Sequence, residues 1–325
     1  MRILKAGFTL VETIVSVSIA GILLSLTLVG VQHAMEASRR SQCSNHLRQI
    51  ATAVGSFEAT HQHLPSGGWS KNWAGVPSLG VGPAQPGGWI YQLLPYLDQA
   101  ELFSVGANPG TGPHNPELLE NPIPILFCPS RRKGRSLDNS RDWKPHLFAR
   151  PDVVARNDYA MNGGDNFVTY GEGPESLAQS KSFAWPNMKE ATGVVFQRSW
   201  LRGSEITDGR SNVYLVGEKY LFTDHYRDGG DWGDNECAYS GDDRDLVRFT
   251  GITRYAPLLP LSDTFFDGRS LGDSGVRFGG PHRGFVQMAY ADSSVRTVSF
   301  DVDMDVHQQL GNRKDGLPMA SQSIE

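Results

Sequence analysis

An uncharged apolar run near the start of the chain limits its fold more than any other feature. Residues 13–32 include no charged side chain, and almost all residues in 14–31 are apolar or small. As a helix, the 14–31 stretch would span roughly 27 Å, close to the ~30 Å hydrocarbon core of a bilayer. Because lipid offers no hydrogen-bond partners to backbone amides, an isolated segment there must be helical. The sequence therefore predicts a transmembrane helix over residues 8–33.

Three other interpretations of this run are open: a cleaved secretory signal peptide, an unprocessed single-span anchor and a buried core helix. A signal peptide has a shorter apolar core that ends at a small-residue cleavage site, whereas this run continues directly into a helical pattern. Arg2 and Lys5 precede the run, and the positive-inside rule keeps them cytoplasmic. We therefore expect a single-pass protein of the cytoplasmic (inner) membrane, with its N-terminus inside and its body exported.

Glu12 is the charged residue at the start of this helix, where a carboxylate costs on the order of 2–3 kcal/mol unless it has a partner. Together with the short basic leader (residues 1–7) and the Gly7–Phe8 junction, it resembles the type IV prepilin signal of pilins and type II secretion pseudopilins. The resemblance implies cleavage after Gly7 and methylation of the Phe8 amine by a prepilin peptidase/methyltransferase. It also implies that Glu12 pairs with the amine of a neighbouring subunit in a fibre.

The helical pattern continues through residues 34–64. Apolar residues recur there at spacings of four and three, which places them on one helix face: Cys43, Leu47, Ile50, Val54 and Phe57. Since neither Pro nor Gly occurs between Val31 and Val54, one helix of roughly fifty residues is the simplest prediction. We expect the stripe to pack on the chain's own body. A stripe that binds a partner is the alternative.

Residues 65–312 have the composition of a loop-rich domain. The 325 residues include 36 Gly and 19 Pro, and 20% are charged, which favours a β-containing body over a helical bundle. The predicted fold is therefore α+β and pilin-like, with a long N-terminal helix packed on a mainly antiparallel β domain and a loose tail over 313–325. The net charge of −5 gives no sequence-wide basic field for nucleic acid.

The chain has three cysteines, too few for a disulfide scaffold. One bridge is allowed in an exported domain. Cys128 and Cys237 are the predicted pair, because Cys43 lies in the N-terminal helix.

Two charged clusters stand out. The basic cluster comprises Arg131, Arg132, Lys133 and Arg135. We predict that it is a solvated loop, and contacts to lipid head groups or an acidic partner are the alternative. The acidic one lies in a Gly-rich loop over residues 224–245. We expect a solvated or salt-bridged loop there, although oxygen-rich loops can hold Ca²⁺. The alternative is a calcium site whose candidate ligands are Asp231, Asp234, Asp242 and Asp243.

Further stretches resemble a large family of uncharacterised proteins that carry a prepilin leader and end in an H-x9-D-G motif. They cover residues 42–49, 89–103, 127–130, 157–163 and 206–218, so the resemblance extends over nearly the whole chain. The family is described as pseudopilin-like. The resemblance therefore implies the architecture, and it implies no enzymatic activity.

Two family motifs have their own structural interpretation. Asp208 and Gly209 predict a turn before a buried strand that Glu218 ends. An acid/base pair of Asp208 and Glu218 is the alternative, which needs a suitable separation of the two carboxylates.

The C-terminal motif lies on a predicted hairpin, whose strands over 284–291 and 295–300 are joined by residues 292–294. His282 and Asp292 match the H-x9-D spacing. We predict a structural hydrogen bond between them, with a catalytic or metal-binding pair as the alternative. Ser293 stands where the family has Gly, which leaves the turn geometry open because Ser tolerates positive φ poorly.

The sequence favours a structural subunit over an enzyme, because it lacks the common motifs for metal ligands, for nucleotide binding and for a catalytic nucleophile. We expect a pseudopilin-like protein, held in the membrane by lipid contacts until it assembles with itself or other pilin-like subunits into a secretion- or pilus-type fibre. A membrane-tethered exported binding module that does not polymerise is the alternative. A tethered hydrolase would need His282 and a carboxylate to converge in a pocket.

Overall fold

A computed structural model of the protein describes residues 9–108, 110, 112–139, 141–168, 171–253, 256–265 and 275–317. Its longest element is helix α1, Leu10–His61, whose 52 residues extend about 78 Å. Thr9 caps its N-terminus, and Gln62 ends it in a left-handed conformation. The predicted single long helix is confirmed. The predicted processing residues, Gly7 and Phe8, lie outside the described residues.

Helix α1 changes character along its length. Its large apolar side chains are exposed in the first part, from 78% at Leu10 to 54% at Val31. This part is long and apolar enough to cross a membrane, a test that a signal sequence would also pass. The predicted stripe further along is buried in the body, as expected: Cys43, Leu47, Ile50, Val54 and Phe57.

Short helices and long loops connect α1 to the sheet. Helix α2 (Trp89–Leu93) is completely buried, while α3 (Ala100–Ser104) and α4 (Glu117–Glu120) are single turns. Strands β1 (Ser136–Asp138) and β2 (Val153–Ala155) then form a small antiparallel ribbon.

The main sheet has five strands in the order β5-β3-β4-β8-β9. Their bounds are Tyr159–Gly164 for β3, Tyr214–Glu218 for β4, Val247–Phe249 for β5, Phe285–Tyr290 for β8 and Val295–Ser299 for β9. The parallel pair β6 (Leu261–Ser262) and β7 (Gly279–Gly280) lies outside this sheet. Within it, β3 and β5 are parallel and the other neighbours are antiparallel. The predicted α+β fold with a mainly antiparallel sheet is confirmed.

Helices cover both faces of the sheet. Because successive side chains of a strand point to opposite faces, alternate residues of β8 enter two different cores. Ala289 packs in the core that contains the α1 stripe, whereas Val286 and Met288 pack with the C-terminal helix α5 (Met304–Gly311). The sheet thus fixes α1 on one side and α5 on the other.

The predicted hairpin is present, and its turn includes a residue in the left-handed conformation that glycine favours. Ser293 has a φ of 67°. Asp292 stabilises the turn, since its Oδ1 accepts hydrogen bonds from the Ser294 backbone N–H and hydroxyl, at 2.9 and 2.6 Å.

The prediction of a loose tail is wrong for residues 313–317. Arg313 is buried, and its Nη1 donates to the backbone carbonyls of Ala191 and Gly193 at 2.8 and 2.7 Å. These bonds hold the segment after α5 against the body. Residues 318–325 of the predicted tail lie outside the described residues.

Candidate functional site

Glu12 takes part in the N-terminal cap of α1. Its Oε2 accepts hydrogen bonds from the Thr9 backbone N–H at 2.9 Å and from the Thr9 hydroxyl at 2.8 Å. In return, the Glu12 backbone N–H donates to Thr9 Oγ1 at 3.3 Å. This reciprocal capping box satisfies amides that the first helical turn leaves without partners. Among the described residues, Thr9 is the hydrogen-bond partner of the Glu12 carboxylate.

The hydroxyl groups in the first half of α1 bond to the backbone of their own chain segment. Each donates to a backbone carbonyl three or four residues earlier, at 2.7–3.1 Å, and the residues are Thr13, Ser16, Ser18, Ser25 and Thr27. Such back-bonding satisfies a hydroxyl without water. The exposed half of α1 is therefore compatible with an apolar environment, whether lipid or other helices.

A disulfide is buried where α1 meets the sheet. Cys43 of α1 forms a disulfide with Cys128, with a Cα–Cα distance of 5.1 Å. The predicted Cys128–Cys237 pair is therefore wrong. Cys237 is a buried free thiol that donates to the Leu119 carbonyl at 3.6 Å, and burial raises its pKa to about 12. Cys43 is the partner because it belongs to the buried stripe of α1.

His282 and Glu218 complete this buried cluster. His282 Nε2 lies 3.1 Å from Glu218 Oε1 and 3.8 Å from Cys128 Sγ. Its Nδ1 lies 3.5 Å from Oε1 of Glu36 on α1. The other oxygen of Glu218 accepts the Gln287 backbone N–H at 3.0 Å. We call Glu36, Cys43, Cys128, Glu218 and His282 the helix-clamp cluster, because it joins α1 to β4 and β8.

The contacts of the helix-clamp cluster shift the pKa values of His282 and Glu36. Burial acts to lower the pKa of His282, but its hydrogen bond to Glu218 and the charges of Glu218 and Glu36 outweigh burial and raise it. Partial burial acts to raise the pKa of Glu36. Hydrogen bonds from Arg39 and Ser130, together with the charges of His282 and Arg39, outweigh that effect and lower the pKa of Glu36.

The predicted bond between His282 and Asp292 is wrong. His282 precedes β8 and Asp292 follows it, so the length of that strand separates the two side chains. Asp292 instead caps the hairpin turn and lies 3.8 Å from Arg296. The spacing between His282 and Asp292 thus reflects the length of β8, with one of these two residues near each of its ends.

Asp208 and Glu218 do not form an acid/base pair either, since Asp208 precedes β4 and Glu218 is its last residue. Asp208 accepts the backbone N–H groups of Asp315 and Gly316 at 2.7 and 2.9 Å. The predicted turn is present, with Gly209 at a φ of 92°, where glycine is favoured. Asp208 therefore holds the segment after α5, and Glu218 belongs to the helix-clamp cluster.

The prediction that the basic cluster is a solvated loop is wrong for its first two residues. The Arg131 guanidinium is buried, with Nε 2.8 Å from Asp263 Oδ2. Arg132 pairs with Asp158 at 2.8 Å and with Asp234 at 2.6 Å. Only Lys133 and Arg135 of the cluster are exposed. No sequence signal separates the two buried arginines from their exposed neighbours.

The four candidate calcium ligands do not share a site in the described part of the chain. Asp231 accepts the backbone N–H groups of Phe222 and Gly233 at 3.1 and 2.8 Å. Asp234 is occupied by Arg132 and by Lys219, whose Nζ lies 3.1 Å from it. Asp242 and Asp243 line a separate cavity. The predicted set of four is therefore wrong, because two of its members neutralise or cap other groups.

The helix-clamp cluster also contains a set of metal-ligating residue types. Ligand atoms of Cys43, Cys128, Glu218 and His282 all lie within 4.8 Å of one another. While the two sulfur atoms are bonded to each other, however, neither is a thiolate, the form of cysteine that binds metal. In the disulfide state the arrangement therefore serves to hold α1 on the sheet.

Comparison with known proteins places this architecture in a family. Neither the curated proteins nor the solved structures include a significant match. A family model matches residues 32–305, which include the whole helix-clamp cluster but not the exposed apolar part of α1. Because that match covers most of the chain, the protein belongs to the family described as "Protein of unknown function (DUF1559)".

Proposed function

We propose that this protein is a pseudopilin-like structural subunit that is cleaved after Gly7, methylated on the Phe8 amine and assembled through α1 into a secretion- or pilus-type fibre. The observation that carries the proposal is the division of α1 into an exposed apolar half and a half fixed in the body. An unassembled subunit would keep the first half in the inner membrane. In the fibre, the same surface would contact the helices of neighbouring subunits.

The exposed half of α1 supports this proposal through its surface. In water, each large apolar side chain left exposed forgoes roughly 1.5–3 kcal/mol of burial energy, and more than ten such residues lie between Leu10 and Met35. Lipid relieves this cost before assembly. Transfer from lipid to neighbouring helices must then rely on packing and on polar contacts, because lipid tails are as apolar as the helix.

Glu12 is the residue proposed to supply the polar contact. An ionised carboxylate has about four lone-pair sites, so it can accept bonds from Thr9 and still face a cation. We propose that this cation is the methylated Phe8 amine of a neighbouring subunit. The charge pair would fix the axial position of one helix against the next.

The second half of α1 supports a rigid connection between helix and body. The helix has no break between the exposed and buried parts, and the disulfide of Cys43 with Cys128 ties it to the loop before β1. A disulfide also fits an oxidising compartment, which supports export of the body. Force or position transmitted along α1 would thus reach the exported domain.

The test uses the full-length chain, co-expressed with a prepilin peptidase, in membranes. A capping box accepts Gln as well as Glu, so Glu12→Gln keeps the helix cap and removes only the charge. Thr9→Ala is the matched control, because it removes the cap and keeps the charge. We expect mass spectrometry to find N-methylated Phe8 in all variants. Chemical crosslinking should give oligomers for the wild type and Thr9→Ala but not for Glu12→Gln.

Two results would overturn the proposal. Retention of Met1 in membrane-isolated protein would exclude the processing step. Wild-type protein that is processed but gives no oligomers would support the alternative, a membrane-tethered exported binding module that does not polymerise. Oligomers that persist in Glu12→Gln would show that another contact, and not Glu12, directs assembly.

A further inference from the structure

Three carboxylates of the loop between β4 and β5 converge on one point. One oxygen each of Glu236, Asp243 and Asp245 lies within 4.8 Å of the other two. Calcium binds oxygen at 2.3–2.6 Å, so two oxygens on the same ion are at most about 5 Å apart. The three oxygens are therefore close enough together to share one such ion.

Two of these carboxylates are buried with an oxygen that has no partner. Glu236 is 7% exposed and Asp245 is 2% exposed, and Glu236 Oε2 and Asp245 Oδ1 accept no hydrogen bond. Within the described residues, none of the three carboxylates has an ion-pair partner within 4.0 Å. Lys71 acts on Glu236, and Lys219 and Arg156 act on Asp245, only at longer range. A buried carboxylate without a close counter-charge is unfavourable unless a proton or a cation neutralises it.

The mutual repulsion of these groups points the same way. Burial, followed by the charges of Asp243 and Asp245, raises the pKa of Glu236. Burial likewise raises the pKa of Asp245 to about 6, with the charge of Lys219 opposing the rise and that of Asp243 adding to it. The surroundings of Glu236 and Asp245 thus disfavour their negative charge, which a bound cation would relieve.

A solvent-connected cavity gives access to this point. It has a volume of about 350 Å³ and is lined by both Glu236 and Asp243. Two further acids, Glu172 and Asp242, line it as well, and both oxygens of Asp242 are buried without a hydrogen-bond partner. Arg141 and Arg244 also line the cavity, where their guanidinium groups stack over the Trp232 ring. The cavity can therefore admit an ion together with water.

We propose that Glu236, Asp243 and Asp245 bind one divalent cation, and that this cation is calcium. The donors are all carboxylate oxygens, which suit a hard cation and exclude the softer metals that prefer nitrogen or sulfur. Calcium takes six to eight oxygens in flexible geometry, so water in the cavity can complete its coordination. Magnesium demands a near-ideal octahedron and is the weaker fit. Only Asp243 is shared with the four candidate calcium ligands that the sequence offers as the alternative to a solvated loop.

Bound calcium would brace the loop next to β5. It would connect Glu236 to the segment that leads directly into that edge strand. A ligand that binds only the folded state stabilises it by mass action. We expect the Tm of the full-length protein in detergent to rise by about 5 °C when calcium exceeds its Kd roughly 100-fold.

The first experiment is calorimetric titration of chelator-treated full-length protein with CaCl₂, paired with melting curves. We expect one calcium per chain. Asp243→Asn should abolish the heat and the Tm shift, whereas the control Asp224→Asn makes the same charge change at an exposed position of the same loop and should leave both unchanged. In calcium-free buffer, we expect Glu236→Gln to have a Tm at or above that of the wild type, because the substitution relieves the repulsion among the three carboxylates. Such a Tm would also show that this variant folds.

A luminescence measurement gives a second, independent readout. Tb³⁺ binds calcium sites and emits when an excited tryptophan lies nearby, and Trp232 lines the same cavity. We expect the wild type to give sensitised Tb³⁺ emission, which calcium should abolish by displacing the Tb³⁺ ion. The variants Trp232→Phe and Asp243→Asn should each lack this emission. Folded wild-type protein that shows neither calcium heat nor displaceable Tb³⁺ emission would overturn the proposal, and so would equal binding by Asp243→Asn and Asp224→Asn. Neither result bears on fibre assembly.

Discussion

His282 Nε2 and Glu218 Oε1 lie 3.1 Å apart, and both side chains are almost completely buried. Glu218 ends β4 and His282 lies just before β8, so the pair connects neighbouring strands at the centre of the sheet. Glu36 extends this contact to α1 on the other side of the ring. His282 and Glu218 thus supply the polar centre of the contact between the long helix and the body.

Removing one member of this pair should destabilise the protein strongly, because the other is left buried without its partner. We expect Glu218→Gln and His282→Gln each to lower the free energy of unfolding by about 3 kcal/mol. The double variant should lose less than the sum, since neither orphaned group remains. Urea denaturation of the wild type, the two single variants and the double variant gives the four free energies of unfolding. Strictly additive losses would show that the two side chains do not interact.

The same pair predicts a pH dependence. The pKa of His282 is raised in the folded state above its ordinary value near 6.5, so its contribution is fully present below pH 6.5 and is lost as pH rises through the folded pKa. As the pH rises from 6.5 through the folded pKa of His282, the wild type should therefore lose more stability than His282→Gln does. Parallel stability curves for the two proteins over that window, measured by urea denaturation, would contradict this assignment of charge.

The sequence predicts the regular elements well because their signals are local. The spacing of Cys43 to Phe57 is enough to identify the buried face of α1, and the residues around Asp292 are enough to identify the hairpin. Both depend on a periodicity that a short window contains. The α+β class follows from these two elements and the loop-rich composition.

The helix-clamp cluster could not be predicted because its members come from distant parts of the chain. Cys128 and His282 are 154 positions apart. The buried ion pair of Arg131 and Asp263, which is not part of this cluster, is likewise formed by residues 132 positions apart. A local pattern therefore cannot distinguish the buried Arg131 from the exposed Lys133. One usable signal was present, since Cys43 is itself a member of the buried stripe and hence a candidate partner for another buried cysteine.

The disulfide should make a large contribution to stability, because it closes a long loop. Cys43 and Cys128 are 85 residues apart, and crosslinking a loop of that length stabilises by about 4.6 kcal/mol in the chain-entropy model. We expect Cys43→Ala/Cys128→Ala to lose approximately that amount in thermal denaturation. Cys237→Ala is the control and should lose only about 1 kcal/mol. Thiol titration of the unfolded wild type should find one free thiol, and three would contradict the bridge.

The hairpin turn offers a substitution that should stabilise the protein. Ser293 holds a φ of 67°, a left-handed conformation that costs a residue with a Cβ about 1–2 kcal/mol, and glycine has no such cost. Glycine also has more freedom to lose on folding, so we expect Ser293→Gly to raise the free energy of unfolding by about 1 kcal/mol. Ser294→Gly is the matched control, and it should destabilise, because its hydroxyl donates to Asp292 at 2.6 Å. Urea denaturation of both variants tests the pair, and a loss of stability in Ser293→Gly would mean that the turn does not adopt this conformation in solution.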